Sequence, residues 1–332
     1  MKDSYDRNIH YLRISLTDRC NLRCQYCMPE AGVQPLPHEA ILTFDEIERV
    51  VRVMAGLGVD RIRLTGGEPL VRKGMPQLAA AIKRTPGITF LGLTTNAVLL
   101  PEMAPALLNA GVDALNISLD TTSPARYAQM TRRDLFDKAW RGLQTALALP
   151  FGRVRVNCVL SPQSTRDDWM GVIALAQTLP VDVRLIEWMP MADEGAEALT
   201  RADDALQAIA KKHGPLVPVQ PDGQGGPAQY YTVSGFRGRI GIIPAMTHNF
   251  CAGCNRVRLT AAGDLKLCLF YDTGLPLKPL LRGGATDAQL AQAILGALEQ
   301  KPRRHQGARR QTENDAAATV IAHAGGMYGI GG

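Results

Sequence analysis

The chain has 332 residues, 46% of them hydrophobic, which is enough to bury a sizeable core and build one large domain plus a smaller one. Its net charge of +6 favours an anionic partner without singling out nucleic acid. No run approaches the roughly 18 apolar residues of a membrane span, and the charged segment 1–10 lacks the apolar stretch of a signal peptide. A cytoplasmic protein is expected, in which clustered cysteines bind metal rather than form disulfides.

Six β-rich segments, at 11–17, 61–65, 89–95, 114–119, 154–160 and 183–188, alternate with segments of helical periodicity. Those helices are expected at 47–57, 75–83, 102–109, 136–147, 167–177 and 202–212. Thr43 and Glu46 form a capping-box pair that opens the first of them. The alternation predicts an α/β fold of parallel βαβ units. No glycine-rich dinucleotide fingerprint follows the first strand, which favours an incomplete (βα)6 TIM-like barrel over a doubly wound sheet.

Either architecture places ligands beyond the carboxyl ends of its strands. The unusual residues do follow the strands: Asp18-Arg19 and three cysteines, then Gly66-Gly67-Glu68-Pro69, Asn96, Asp120 and Met189-Pro190-Met191. From about residue 215 the pattern changes. A turn-rich stretch, 221–227, leads to a predicted hairpin (230–234 and 239–243), a helix at 287–299 and a glycine-rich tail, 325–332. The expected division is 1–220 and 221–332, the second part being a small C-terminal α+β domain.

Six of the seven cysteines form two triads: Cys20, Cys24 and Cys27 (C-x3-C-x2-C), and Cys251, Cys254 and Cys268 (C-x2-C-x13-C). Three thiolates leave one coordination position open, as chemistry requires and structural sites usually do not. A zinc site with a distant fourth ligand is the alternative for the first triad. For the second, His248 could complete a Cys3His zinc set. Arg256 and Arg258, on alternate positions of an extended segment, point the same way and suit a phosphorylated ligand. Cys158, in the apolar run 154–160, reads as a buried core residue. The basic stretch 301–310 reads as a solvated loop or a nucleic-acid patch.

The segment Cys20-Asn21-Leu22-Arg23-Cys24-Gln25-Tyr26-Cys27-Met28-Pro29 resembles the signature of the radical S-adenosylmethionine (SAM) superfamily. With the second triad, the Asn255-Arg256-Val257-Arg258 segment and the terminal Gly331-Gly332, the likeness narrows to the MoaA-type GTP 3′,8-cyclase family of molybdenum-cofactor biosynthesis and covers almost the whole chain. The resemblance implies a lyase with two [4Fe-4S] clusters, one on each triad, and SAM bound through Tyr26, Gly67, Ser118 and Met189. It implies GTP contacts at Arg13, Arg63, Thr94, Arg155, Arg256, Val257 and Arg258, with guanine on the second cluster's open iron. It also implies an external electron donor and a downstream cyclic pyranopterin monophosphate synthase as product acceptor, no membrane, and leaves a homodimer open.

Two departures stand out. Arg155 replaces a usual lysine, exchanging a point donor for a planar fork, and Asn96-Ala97 replaces a common Asn-Gly, which bears on loop geometry. The tail could reach the active site, since glycines permit close approach. Competing readings are another radical SAM enzyme with extra C-terminal cysteines, such as a peptide maturase, and a zinc-stabilised RNA-binding protein.

Overall fold

The computed structural model describes residues 1–189, 200–220, 226–248, 250–271, 274–305 and 329. The Gly331-Gly332 tail and most of the 221–227 turn segment lie outside these residues.

The expected strands form β1 (Tyr11–Ser15), β2 (Arg61–Thr65), β3 (Phe90–Thr95), β4 (Ala114–Ser118), β5 (Arg153–Leu160) and β6 (Asp182–Glu187). They pair in parallel, in chain order. The helices between them are α1 (Phe44–Gly56), α2 (Met75–Arg84), α3 (Leu100–Asn109), α4 (Pro124–Thr131), α5 (Phe136–Ala148) and α6 (Arg166–Thr178), with α7 (Ala202–His213) after β6. Thr43 and Glu46 do form a capping box, as do Thr165 and Asp168 on α6. Helix α4 was not expected: its eight residues carry too little periodicity, although Ser123 caps it and Pro124 opens it.

Strand residues alternate between two faces, and here the faces differ in kind. Leu12, Ile14, Ile62, Leu64, Leu91, Leu93, Leu115, Ile117, Val156, Val183 and Leu185 share one buried core with helix residues such as Ile47, Val51, Leu78 and Leu107. Burying each such side chain contributes about 1.5–3 kcal/mol, so this face holds the helices to the sheet. The opposite face carries Tyr11, Arg13, Arg63, Thr94, Asn116, Arg155, Asn157 and Arg184 in adjacent registers. A wholly structural face would not line up arginines in this way.

The C-terminal part adds strands to both edges of the same sheet. On one side β9 (Ile240–Ile243) pairs parallel with β6, followed by antiparallel β8 (Gln229–Thr232) and β7 (Val217–Val219). On the other, β10 (Arg256–Leu259) pairs parallel with β1, followed by antiparallel β11 (Asp264–Lys266) and β12 (Gly274–Pro276). The result is one open twelve-stranded sheet. Helices α8 (Leu277–Arg282) and α9 (Asp287–Leu298) finish the described fold, the latter opened by a Thr286–Gln289 capping box.

This topology separates the two triads. The first triad follows β1, at the carboxyl end of the strands. Cys251 and Cys254 precede β10, which runs parallel to β1, so they lie at the amino end. The two triads thus lie at opposite ends of the sheet, separated by at least the length of a five-residue strand, about 17 Å.

Candidate active site

The first cysteine loop is fixed from several sides. Gly67 donates from its backbone N to Thr17 O at 2.6 Å and Glu68 N donates to Arg19 O at 2.8 Å. A Cβ at Gly67 would sit 2.3 Å from Arg19 O, so only glycine allows this approach. The far side of the loop is held by α4: Arg23 N and Gln25 N donate to Thr131 O and Met130 O, and Arg132 Nη1 donates to both Arg23 O and Met28 O. Asn96 Nδ2 donates to Asn21 Oδ1 at 2.7 Å and approaches Cys20 Sγ at 3.9 Å.

Two buried carboxylates stand beside the loop. Glu68 accepts from Leu70 N, Thr95 Oγ1 and Asn96 N, yet burial raises its pKa to about 7. Asp120 accepts from Tyr26 Oη and Val159 N, and burial raises it to about 6. Burial, then the neighbouring Cys27 and Asp120, pushes the Cys24 thiol well up, and burial raises Cys20. Two thiols that resist ionisation on their own, with Cys27 beside them, are a soft donor set that a cationic iron–sulfur cluster would stabilise as thiolates.

Along the polar face runs a cavity of about 1410 Å3, including its open mouth. Arg13, Arg63, Arg155, Arg184, Arg256 and Arg258 line it together with Cys251, Cys254 and Cys268. No Asp or Glu appears among its described lining residues. Burial, then Arg258, holds Arg13 well below the usual guanidinium range; burial, then Arg256, brings Arg258 to about 10. Burial, then Arg184, lowers Arg155 to about 10. Asp182 stands in register with Arg155, 4.0 Å from its Nε, and six guanidiniums sharing one cavity suit a polyanion.

Room for these side chains comes from missing ones. A Cβ on Gly92 would meet the Arg63 guanidinium at 2.7 Å, and one on Gly241 would meet Arg184 Cγ at 2.8 Å. Arg63 Nε donates to Tyr11 Oη at 2.6 Å, and Arg184 Nε and Nη2 both donate to Asn157 Oδ1.

The second triad is braced by cations. Arg7, paired with Asp3 at 2.6 Å, donates to Cys251 O at 2.9 Å and to Pro302 O and Arg303 O. Lys301, 3% exposed, donates to Arg256 O and Leu267 O. Burial works to raise Cys254, but Lys301 and Arg256 outweigh it and lower the thiol. Within the basic stretch Lys301 is thus internal bracing, whereas Arg303 and Arg304 are exposed; residues 306–310 lie outside the described residues. His248 is exposed and pairs with Asp203 on α7 at 3.1 Å, so it does not complete a Cys3His set.

The expected site residues thus divide. Met189, Arg13, Arg63, Arg155, Arg256, Val257, Arg258 and the second triad share the cavity. Tyr26 and Gly67 stand at the first loop, while Thr94 and Ser118 lie on the polar face outside the cavity lining. Neither triad is drawn into a finished shell: among the described residues no three His, Cys, Asp or Glu side chains form a ready metal group. Within each triad the sulfurs nonetheless influence one another, Cys24 feeling Cys20 and Cys27, and Cys268 feeling Cys251 and Cys254. Cys158 is fully buried, as expected. Sequence reasoning missed Arg184, Asn116 and Asn157; the signal was a polar residue at every second position of otherwise apolar strands.

Comparison with known proteins agrees with this geometry. Residues 14–176 match the family model described as Radical SAM superfamily, and residues 181–307 match Molybdenum Cofactor Synthesis C. The chain is 47% identical over 308 residues to a GTP 3′,8-cyclase of Pelotomaculum thermopropionicum, covering 92% of this chain and 95% of that one. It is 40% identical over 309 residues to the human Molybdenum cofactor biosynthesis protein 1, covering 92% of this chain and 48% of that longer protein. Streptococcus suis SuiB bound to S-adenosylmethionine shares the fold, with a TM-score of 0.59 at 14% identity over 88% of this chain and 68% of SuiB. The two family models, which together span residues 14–307, and the 47% identity over 92% of this chain to a GTP 3′,8-cyclase place the chain in the GTP 3′,8-cyclase family of radical SAM proteins.

Proposed function

We propose that this chain is a GTP 3′,8-cyclase, a lyase that converts GTP to (8S)-3′,8-cyclo-7,8-dihydroguanosine 5′-triphosphate at the start of molybdenum-cofactor biosynthesis. The observation that carries the reading is the cavity lined by six arginines, which ends at the second triad and points along the strands toward the first. Cys20, Cys24 and Cys27 hold one [4Fe-4S] cluster and Cys251, Cys254 and Cys268 a second. When bound, the first cluster and SAM supply a radical able to take hydrogen from ribose C3′, so that C3′ can join guanine C8.

The chain's own residues bind, orient and exclude water. Tyr26, Gly67, Ser118 and Met189 hold SAM near the carboxyl end. Buried Glu68 and Asp120 offer the charge complement of a sulfonium and an ammonium there. Arg13, Arg63, Arg155, Arg256 and Arg258, with Thr94 and Val257, hold GTP, the guanidinium forks taking the triphosphate. Arg184, held by Asn157 and facing the same cavity, adds to this charge. Burial keeps these donors desolvated and competing hydrogen sources away from the reacting ribose.

The polar face becomes an interior if the first six strands curl into an incomplete (βα)6 barrel, and residues 221–332 act as the part that presents GTP to it. An external donor supplies electrons in the cytoplasm, and a cyclic pyranopterin monophosphate synthase takes the product. No described helix is long and apolar enough to cross a membrane.

Anaerobic incubation with SAM, GTP and a strong reductant tests the reading: 5′-deoxyadenosine and a cyclised guanosine triphosphate are expected together. Deoxyadenosine without the cyclised product would refute the substrate and leave the radical SAM assignment standing. Iron and acid-labile sulfide should approach about eight of each per chain, as two cubane clusters require.

A further inference from the structure

Among the described residues lining the arginine cavity, four carry a side-chain amide or a phenol: Tyr11, Asn116, Asn157 and Tyr230. Three of them are committed to arginines. Tyr11 Oη accepts from Arg63 Nε, Asn157 Oδ1 accepts two bonds from Arg184, and Tyr230 is hydrogen-bonded to Arg184. Asn116 is the exception. It is 4% exposed, and its Oδ1 is enclosed with no hydrogen-bond partner. An amide oxygen left in that state costs roughly 1–3 kcal/mol, so its retention calls for a donor that arrives from outside.

The position of Asn116 narrows what that donor is. In the sheet register it stands between Thr94 and Arg155. Thr94 Oγ1 is also enclosed without a partner. Ser118 lies two residues further along β4, about 7 Å toward the carboxyl end and the first cysteine loop. Asn116 therefore stands level with Arg155, one pleat nearer the carboxyl end than Arg13, Arg63 and Arg258 and one pleat short of Arg184. Phosphate oxygens are acceptors and suit the arginines, not an amide oxygen. The part of a nucleotide that brings hydroxyl donors to this level is its sugar.

We infer that Asn116, assisted by Thr94, is the ribose subsite of this cavity, its amide accepting from one of the vicinal hydroxyls and so distinguishing a ribonucleotide from a deoxyribonucleotide. This rests on the GTP reading above. The amide supplies an acceptor and a donor on adjacent atoms, which matches a diol whose oxygens both give and take hydrogen bonds. Asn116 acts here as a specificity and positioning residue, since it holds the sugar and exchanges no proton with it.

The test is equilibrium binding of GTP, 2′-deoxy-GTP and 3′-deoxy-GTP to the anaerobic, cluster-loaded enzyme and to its Asn116→Leu variant. The native enzyme should prefer GTP over at least one deoxy analogue by roughly three- to tenfold, the worth of one hydrogen bond. In Asn116→Leu that preference should collapse to about one, with GTP weakened to the level of the analogue. Because an enclosed, unsatisfied oxygen is removed, the variant's melting temperature should be unchanged or raised, which separates lost recognition from lost folding. A preference that survives in Asn116→Leu, or a native enzyme that binds GTP without discriminating either hydroxyl, would overturn the ribose subsite. A native enzyme that binds no GTP would overturn the substrate reading and the subsite with it.

Discussion

The two cysteine triads have the same count and opposite surroundings. The first is flanked by two buried carboxylates, Glu68 and Asp120, and held by backbone bonds from α4 and the glycine loop. The second is braced by buried cations, Arg7 and Lys301, and opens on an arginine-lined cavity. Burial and neighbouring negative groups push Cys24 up, whereas Lys301 and Arg256 draw Cys254 down against burial. On the proposed reading, these unlike neighbours suit unlike visitors, a cationic one at the carboxyl end and an anionic one at the amino end.

Cysteine replacement is the strongest way to break this contrast. Cys24→Ala should reduce 5′-deoxyadenosine formation to background. Cys254→Ala should retain SAM cleavage and lose cyclised product. Equal loss of SAM cleavage in both variants would show that the sites do not divide the work as proposed.

The next effect concerns the negative side. Glu68 titrates near 7 in the fold against an ordinary value of 4.5. Because the folded value is the higher one, the folded state binds more protons between these values. Its stabilising share is complete below pH 4.5 and is lost as pH rises through about 7. The loss is on the order of 3 kcal/mol in the cluster-free protein. Denaturant titrations from pH 4.5 to 8 should show it, and Glu68→Gln should flatten the profile.

On the positive side, Arg258→Ala should weaken GTP binding by about ten- to a hundredfold, the range for a lost charge-assisted hydrogen bond. SAM cleavage without GTP should be unaffected. Calorimetry together with single-turnover assays separates the two readouts. If Arg258→Ala impaired SAM cleavage as much as GTP binding, the separation of anion and cation sites would fail.

The smallest effect tests the loop behind Cys20. Ala97 has φ +65°, a left-handed conformation that costs an L-residue about 1–2 kcal/mol. Its methyl lies against Gly142 of α5, where a Cβ would come within 2.9 Å of it and 2.1 Å of Ala97 O. Ala97→Gly should therefore raise unfolding stability by no more than about 1 kcal/mol, relief of strain being offset by the lost methyl burial. A clear loss of stability would mean that the methyl's packing outweighs the backbone strain.

Much of the scaffold could be read from residue order. The six parallel strands and the helices after them appear within three residues of the expected positions, because apolar periodicity and capping pairs such as Thr43–Glu46 are local signals. Short elements without such signals, α4 and β7 among them, were not legible. Both cysteine triads and the paired Arg256 and Arg258 were visible as motifs. Arg184, Asn116 and Asn157 were not, because a polar residue inside a strand declares its neighbours only once register is known.

The sequence by itself determined the βα order, the two three-cysteine sets and the paired Arg256 and Arg258, all properties of residue type and spacing. Only the tertiary structure decided that β10 lies parallel beside β1. That pairing sends the second triad to the opposite end of the sheet from the first and aligns Arg13 with Arg258 and Arg63. Contacts between positions more than 200 residues apart follow from strand register and close packing, and no local pattern along the chain encodes them.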